Sequence, residues 1–308
     1  MNKVTARCLA VLFLCACGAS ARTLKVLTIG NSFADSVFSY LPAIAASVPD
    51  CELRLDRANI GGCSLQRHWQ EVEKAEADPA YKPYYGKYSL KDKLTSQQWD
   101  IITMQQVSSL SFKPESYEPW FKNLYDYVRK HAPQAEIVIQ MIWAYRADHP
   151  FFTSTLPGGQ EEMFEKVFAA YNQVAANYQL RVIPSGLAVQ LARRNQAVKF
   201  VPGKKYSKDE LAQFVYPQLP DVSGGSFITG LHWGKNKDGS RSIRNDLIHL
   251  NRRGMYLQAC LWFAELFDQK TSAITFVPDK MDPADAEFLR HMAQKARDEY
   301  QQPAKNHK

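Results

Sequence analysis

After its first 21 residues the 308-residue sequence contains no apolar run near the ~18–20 residues that a membrane-spanning helix requires. Cysteine is scarce: there are six, and Cys8, Cys15 and Cys17 fall in that first stretch. Cys51, Cys63 and Cys260 are too few for a disulfide framework, and their spacing fits no zinc site. Cys51 and Cys63 flank an expected strand of about six residues, whose ends stand roughly 20 Å apart. A bridge does not reach across that distance unless the loop folds back, so buried free thiols are expected. No Walker, dinucleotide-binding or His-Glu-x-x-His pattern occurs, so no metal or cofactor is called for. Asp238-Gly239-Ser240 lacks the repeated acidic ligands and closing glutamate of a calcium loop and reads as a tight turn. There is no internal repeat. Nor is there a concentrated basic stripe: the net charge of +7 is spread along the chain, with Lys204-Lys205 and Arg252-Arg253 as short pairs. That distribution argues against a nucleic-acid partner and for ordinary solvated surface.

The first 21 residues have their own logic. Lys3 and Arg7 precede an apolar run over residues 9–16, and Ala19-Ser20-Ala21 offers a small-residue cleavage site. This is the pattern of a secretory signal peptide, with a buried first helix as the alternative. Leu14-Cys15-Ala16-Cys17 also resembles a lipoprotein box, in which a lipidated Cys17 would supply the only membrane tether. The expected location is therefore exported, periplasmic or extracellular.

The mature part alternates. Near-continuous apolar strands are expected at 24–29, 100–104 and 136–141, with further strands at 52–58 and 181–183. Helical patterns occupy 36–48, 64–77, 119–131, 160–178 and 185–195. Such alternation predicts a three-layer α/β/α sandwich around a central, mostly parallel five-stranded sheet, in one domain over residues 22–270. Residues 271–308 read as a surface helix at 283–300 and a disordered tail. Three long irregular stretches remain, at 78–97, 146–159 and 196–242; such loops are usually functional or mobile.

In an open parallel sheet, ligands bind beyond the carboxyl ends of the strands. Strand one ends in Gly30-Asn31-Ser32, strand two runs into Asn59-Ile60-Gly61-Gly62-Cys63-Ser64, and strand three ends in Gln105-Gln106. Further on, Asp246 and His249 stand just ahead of an expected helix start near Asn251. A serine hydroxyl becomes a nucleophile when a base accepts its proton, and a histidine does so best when a carboxylate fixes its tautomer. Donors for an oxyanion are available from the backbone N–H of Ser32, from the Gly61-Gly62 loop and from a glutamine amide. Taken singly, Ser32 suits a helix cap, and Asp246 and His249 suit a capping carboxylate and a core histidine. Their joint occurrence, in this order and at these strand ends, favours a hydrolase.

Gly30-Asn31-Ser32-Phe33 resembles the Gly-Asp-Ser-Leu element of the SGNH (GDSL-like) hydrolases, and Asp246-Leu247-Ile248-His249 resembles their closing Asp-x-x-His element. The likeness covers about residues 23–268 and extends to "GGCSL" and "WDIITMQQ". It implies the flavodoxin-like fold of that superfamily, with Ser32 as nucleophile, His249 as base and Asp246 as orienting acid. It further implies Gly62, or its neighbour Gly61, as an oxyanion donor. Gln105-Gln106 departs from the common Gly-x-Asn-Asp block, leaving open which glutamine supplies an amide. Asn31 takes the place of an aspartate and is a candidate substrate contact. The function implied is a secreted serine esterase acting on carbohydrate O-acetyl groups or a small-molecule ester. The alternatives are a lipase or thioesterase, or a glycan binder that retains the fold without the chemistry.

Weaker candidates are His232 and Trp233, as substrate contacts or as loop packing, and Tyr81, Tyr84, Tyr85 and Tyr88, as a sugar platform or as loop packing. His68 reads as surface or core filler.

Overall fold

A computed structural model of the chain describes residues 23–220 and 224–302. The expected signal peptide, the expected lipidation site at Cys17 and residues 303–308 lie outside the described residues. In chain order the elements are β1 (Leu24–Gly30), α1 (Ser32–Asp35), α2 (Leu41–Ala46), β2 (Leu53–Asn59), α3 (Leu65–Ala77), α4 (Leu90–Thr95) and β3 (Ile101–Met104). Next come α5 (Trp120–His131), β4 (Glu136–Gln140), α6 (Phe151–Ser154), α7 (Gly159–Tyr178), β5 (Arg181–Ile183), α8 (Ser185–Asn195) and α9 (Lys208–Ala212). The last are β6 (Ile228–Lys235), β7 (Arg241–Leu250), α10 (Arg252–Phe267) and α11 (Pro283–Gln301).

The five expected strands form one parallel sheet in the order β2-β1-β3-β4-β5. Residues 26–30 of β1 and all of β3 are buried, as strands covered on both faces must be. Helices α2, α8 and α11 pack around α10, while α5 packs against α3 and α4. The chain runs outward from β1 to β2 and then crosses back to β3. The strand order thus reverses between β1 and β3, and doubly wound sheets bind ligands beyond the carboxyl ends of the strands at such a point. Cys51, Cys63 and Cys260 are free and buried.

Three expectations need correction. The helix expected at 36–48 is broken: α1 passes into a 3-10 turn at Ser36–Ser39 before α2 begins, with Pro42 in the first turn of α2. The long stretch 196–242 is not all irregular, because it contains α9, β6 and the start of β7. These two strands form an antiparallel ribbon apart from the main sheet. Asn236 to Ser240 makes its turn, with Gly239 at φ 88°. Helix α11 is no mere surface helix: it buries Ala286, Leu289, Met292, Ala293 and Ala296, chiefly against α10 and α8.

Candidate active site

Ser32 opens α1 directly after β1. The cap of that helix is Asn31, whose Oδ1 accepts from Phe33 N at 3.1 Å, so Ser32 is spared the capping role and its hydroxyl is left for other work. It lies 2.8 Å from His249 Nε2. His249 Nδ1 lies 2.8 Å from Asp246 Oδ2. With Nδ1–H aimed at the carboxylate, Nε2 remains to accept the serine O–H. Residues 217 positions apart thus converge in one hydrogen-bonded chain.

Asp246 and His249 arrive on the end of β7. Asp246 Oδ1 accepts the backbone N–H groups of Ile248 and His249, at 3.0 and 2.9 Å, which curls the strand so that both side chains face one point. Burial works to raise the Asp246 carboxyl. The hydrogen bonds from the His249 ring and from the two backbone N–H groups, with the attraction of the ring, outweigh it and hold the carboxyl at about 2. The imidazole has its own support. Phe33 meets the His249 ring edge-on at 5.4 Å and is stacked in parallel on Trp143 at 4.3 Å. Trp143 Nε1 in turn donates to Ile248 O at 2.8 Å, tying the ribbon to the segment after β4. Arg146 N adds a bond to Leu247 O at 3.0 Å.

The expected oxyanion donors divide. Gly61 and Gly62 are exposed in the turn after β2, and Gly62 has φ +62°, which a glycine adopts without strain. Among the described residues, no hydrogen bond engages the N–H of Ser32, Gly61 or Gly62. These N–H groups are therefore unengaged by the fold among the described residues. The two glutamine amides are engaged. Gln105 is buried and its Nε2 donates to Asn31 Oδ1 at 2.7 Å. Gln106 Oε1 accepts from Leu65 N and Val107 N, while its Nε2 donates to Ser116 O. Both amides brace the loops behind the mouth, which corrects the expectation that one of them points into it. Asn31 is likewise sealed, 2% exposed, with Nδ2 donating to Cys63 O at 3.0 Å. It joins the end of β1 to the segments that follow β2 and β3, with its side chain buried away from solvent.

His232 and Trp233 lie on β6, away from Ser32, His249 and Asp246. Gly230 pairs with Asp246, whereas Trp233 pairs with Ile243, about 10 Å further along the ribbon. His232 Nδ1 bonds its own strand at Gly230 O, and Trp233 Nε1 donates to Gln218 O. Neither meets Ser32 or His249.

The sequence reading undervalued His68. This fully buried residue of α3 donates from Nε2 to Gly30 O at 2.9 Å and accepts Tyr84 O–H at Nδ1, 3.0 Å away. Burial lowers its pKa to about 4, opposed by the bond to Gly30, so the ring stays neutral at neutral pH. It clamps the last residue of β1 to the helix that follows the glycine turn. No periodicity reveals such a role; the signal available was a histidine one helical turn after the Ser64 cap.

No curated protein matches the sequence of the chain. Among solved structures, a DUF4886 family protein from Bacteroides uniformis is 24% identical, with a TM-score of 0.66, over 92% of this chain and 98% of that one. A candidate SGNH hydrolase from Slackia heliotrinireducens is 20% identical, with a TM-score of 0.46, over 80% and 100%. A member of the lipolytic G-D-S-L family from Veillonella parvula is 13% identical, with a TM-score of 0.40, over 80% and 99%. These likenesses concern the fold. The family model for DUF4886, a domain of unknown function, matches residues 25–210, and the chain belongs to that family.

Proposed function

We propose that the protein is a serine ester hydrolase of the SGNH type, exported from the cell and acting on O-acetyl groups of carbohydrates. One observation carries the reading: the unbroken chain Ser32 Oγ, His249 Nε2, His249 Nδ1, Asp246 Oδ2, with both links at 2.8 Å. In the reaction, Ser32 Oγ attacks the ester carbonyl carbon while His249 takes its proton. The tetrahedral oxyanion is met by the N–H groups of Ser32 and of the Gly61-Gly62 turn. Collapse expels the alcohol, which receives the proton from His249 and leaves an acyl-Ser32. Water, deprotonated by His249, then hydrolyses that intermediate to the free acid and Ser32. Asp246, held ionised, stabilises the imidazolium at each stage.

The acyl class is argued from the mouth. The Gly61-Gly62 turn after β2 carries no side chains and is exposed, an open setting without an apolar channel for a long alkyl chain, which suits a short acyl group such as acetyl. The test is hydrolysis of a chromogenic acetyl ester. Wild type is expected to turn it over, with Ser32→Ala and His249→Ala each slower by about 10³-fold or more. Equal rates in wild type and both variants would favour a non-catalytic binder.

A further inference from the structure

Four tyrosines crowd residues 81–88, and the structure sorts them. Tyr84 is buried against His68, and the hydroxyl of Tyr81 is taken by Glu71. Tyr85 and Tyr88 stay outside, 54% and 41% exposed. Tyr84 bridges to Tyr88, and the N–H groups of Lys87 and Tyr88 both donate to Tyr84 O. Tyr85-Gly86 therefore forms the tip of a tight hairpin, at φ 57° and 65°. Such a tip selects Asn-Gly or Asp-Gly, and a bulky aromatic in the left-handed region is an outlier. The ring is half exposed, and the backbone holds it in a conformation that costs an aromatic residue more than a glycine or asparagine. Strain of this kind gathers at positions kept for function.

The surroundings of Tyr85 indicate which function. The hairpin stem is fixed on the β1–β2 side of the sheet: Tyr84 bonds His68, which bonds Gly30 O, and the Tyr88 ring packs on Lys93, whose ammonium pairs with Asp56 next to Arg57. Asp35 follows Ser32 by three residues in the same helical turn, a spacing that sets side chains about 5–6 Å apart. Asn59 leads directly into Ile60-Gly61-Gly62. The Asp35 carboxylate accepts from Arg57 Nη1 at 2.8 Å and from Asn59 Nδ2 at 3.0 Å, and the Asp35–Arg57 pair remains partly exposed. The Arg57 guanidinium stands over the Phe38 ring, 4.4 Å from its centre.

We propose that Tyr85 and the Asp35–Arg57 pair form a subsite for a sugar ring of a glycan chain, one helical turn from Ser32. The aromatic face receives the C–H face of a pyranose, while the carboxylate and guanidinium accept from and donate to its hydroxyls. This inference rests on the ester-hydrolase reading and adds what carries the acyl group: an extended carbohydrate, gripped on the β2 side of the mouth.

The test reads binding on inactive protein, apart from catalysis. Ser32→Ala protein is titrated calorimetrically with the hexasaccharides of xylose, mannose and N-acetylglucosamine. At least one is expected to bind, and adding Tyr85→Gly weakens that affinity about tenfold or more, whereas Tyr85→Trp retains it. Glycine accepts the left-handed conformation without strain, so the melting temperature of Tyr85→Gly is expected to stay level or rise. Tyr85→Asn, which also tolerates that conformation, serves as a second ring-deleting variant. No binding by any of the three sugars, or equal affinity with and without the ring, overturns the proposal. An active wild type on the chromogenic ester would then leave the esterase standing. An inert wild type that still binds sugar through Tyr85 would overturn the esterase alone.

Discussion

Gln105 hands its side-chain amide to Asn31 Oδ1 over 2.7 Å, with both side chains nearly sealed from water. The contact fixes how the ends of β1 and β3 meet, and Asn31 Nδ2 extends the tie to Cys63 O beyond the glycine turn. The relative placement of Ser32 and the Gly61-Gly62 turn is thus braced by two buried carboxamides. Gly30 belongs to the same arrangement: a Cβ there would stand 2.9 Å from Gln105 Cγ.

Only an amide serves all three partners of Asn31, since it accepts from Phe33 N and Gln105 Nε2 and donates to Cys63 O. Asn31→Asp, although it creates the commoner residue of the GDSL element, sets a carboxylate oxygen against the Cys63 carbonyl. We expect kcat to fall about tenfold or more at pH 8, matching the ~1–3 kcal/mol of a buried acceptor left without a donor. The deficit relative to wild type should narrow on acidification, once a protonated carboxyl can donate. In Asn31→Ala it should stay constant with pH. A kcat–pH profile of Asn31→Asp parallel to that of wild type contradicts the role.

Trp143 supports the ribbon that carries Asp246 and His249 through its indole N–H and its ring together. Trp143→Phe keeps a ring beside Phe33 but deletes the donor to Ile248 O. Turnover should drop by about tenfold, a loss near 1.4 kcal/mol. The KM of a small acetyl ester should change much less, because the ring makes no contact with the open mouth. A change confined to KM would show that the residue acts on binding instead.

His68 makes stability depend on pH. Its folded pKa of about 4 lies below the unfolded value of 6.5, so on acidification the unfolded chain takes up a proton that the native state refuses. The favourable contribution is fully present above pH 6.5 and is lost progressively toward pH 4, where it is reduced by about 3 kcal/mol. Urea unfolding at pH 7.5 and at pH 4.5 should reveal this slope in wild type. In His68→Gln the stability is lower at pH 7.5, and the slope across this interval is reduced. An unchanged slope would place the dependence elsewhere.

The sheet was legible because its central strands are continuous apolar runs, and each strand end bears residues that make poor sheet but good chemistry. Ser32, Asp246 and His249 stood out because their types and order fit one reaction. The ribbon was not legible. Residues such as Trp233, Lys235, Arg241 and Arg244 give it no clean alternation, and its register comes from pairing and from Gly230 opposite Asp246. Gln105, Gln106 and Asn31 were misread for a related reason. An amide at a strand end is chemically fit for an oxyanion hole or for bracing a buried loop, and only the position of its partners decides between them. His68 shows the same limit, since its bonds to Gly30 and Tyr84 span 38 and 16 residues.

Ser32 follows directly from the five-stranded sheet, whereas His249 and Asp246 ride on a two-stranded ribbon that would be marginal in isolation. Heating should therefore disarm the protein in two stages. Amide exchange across β6 and β7 should quicken, and activity fade, while the signals of the main sheet remain native. Cooling before that second stage should restore full turnover within the time the ribbon needs to dock again.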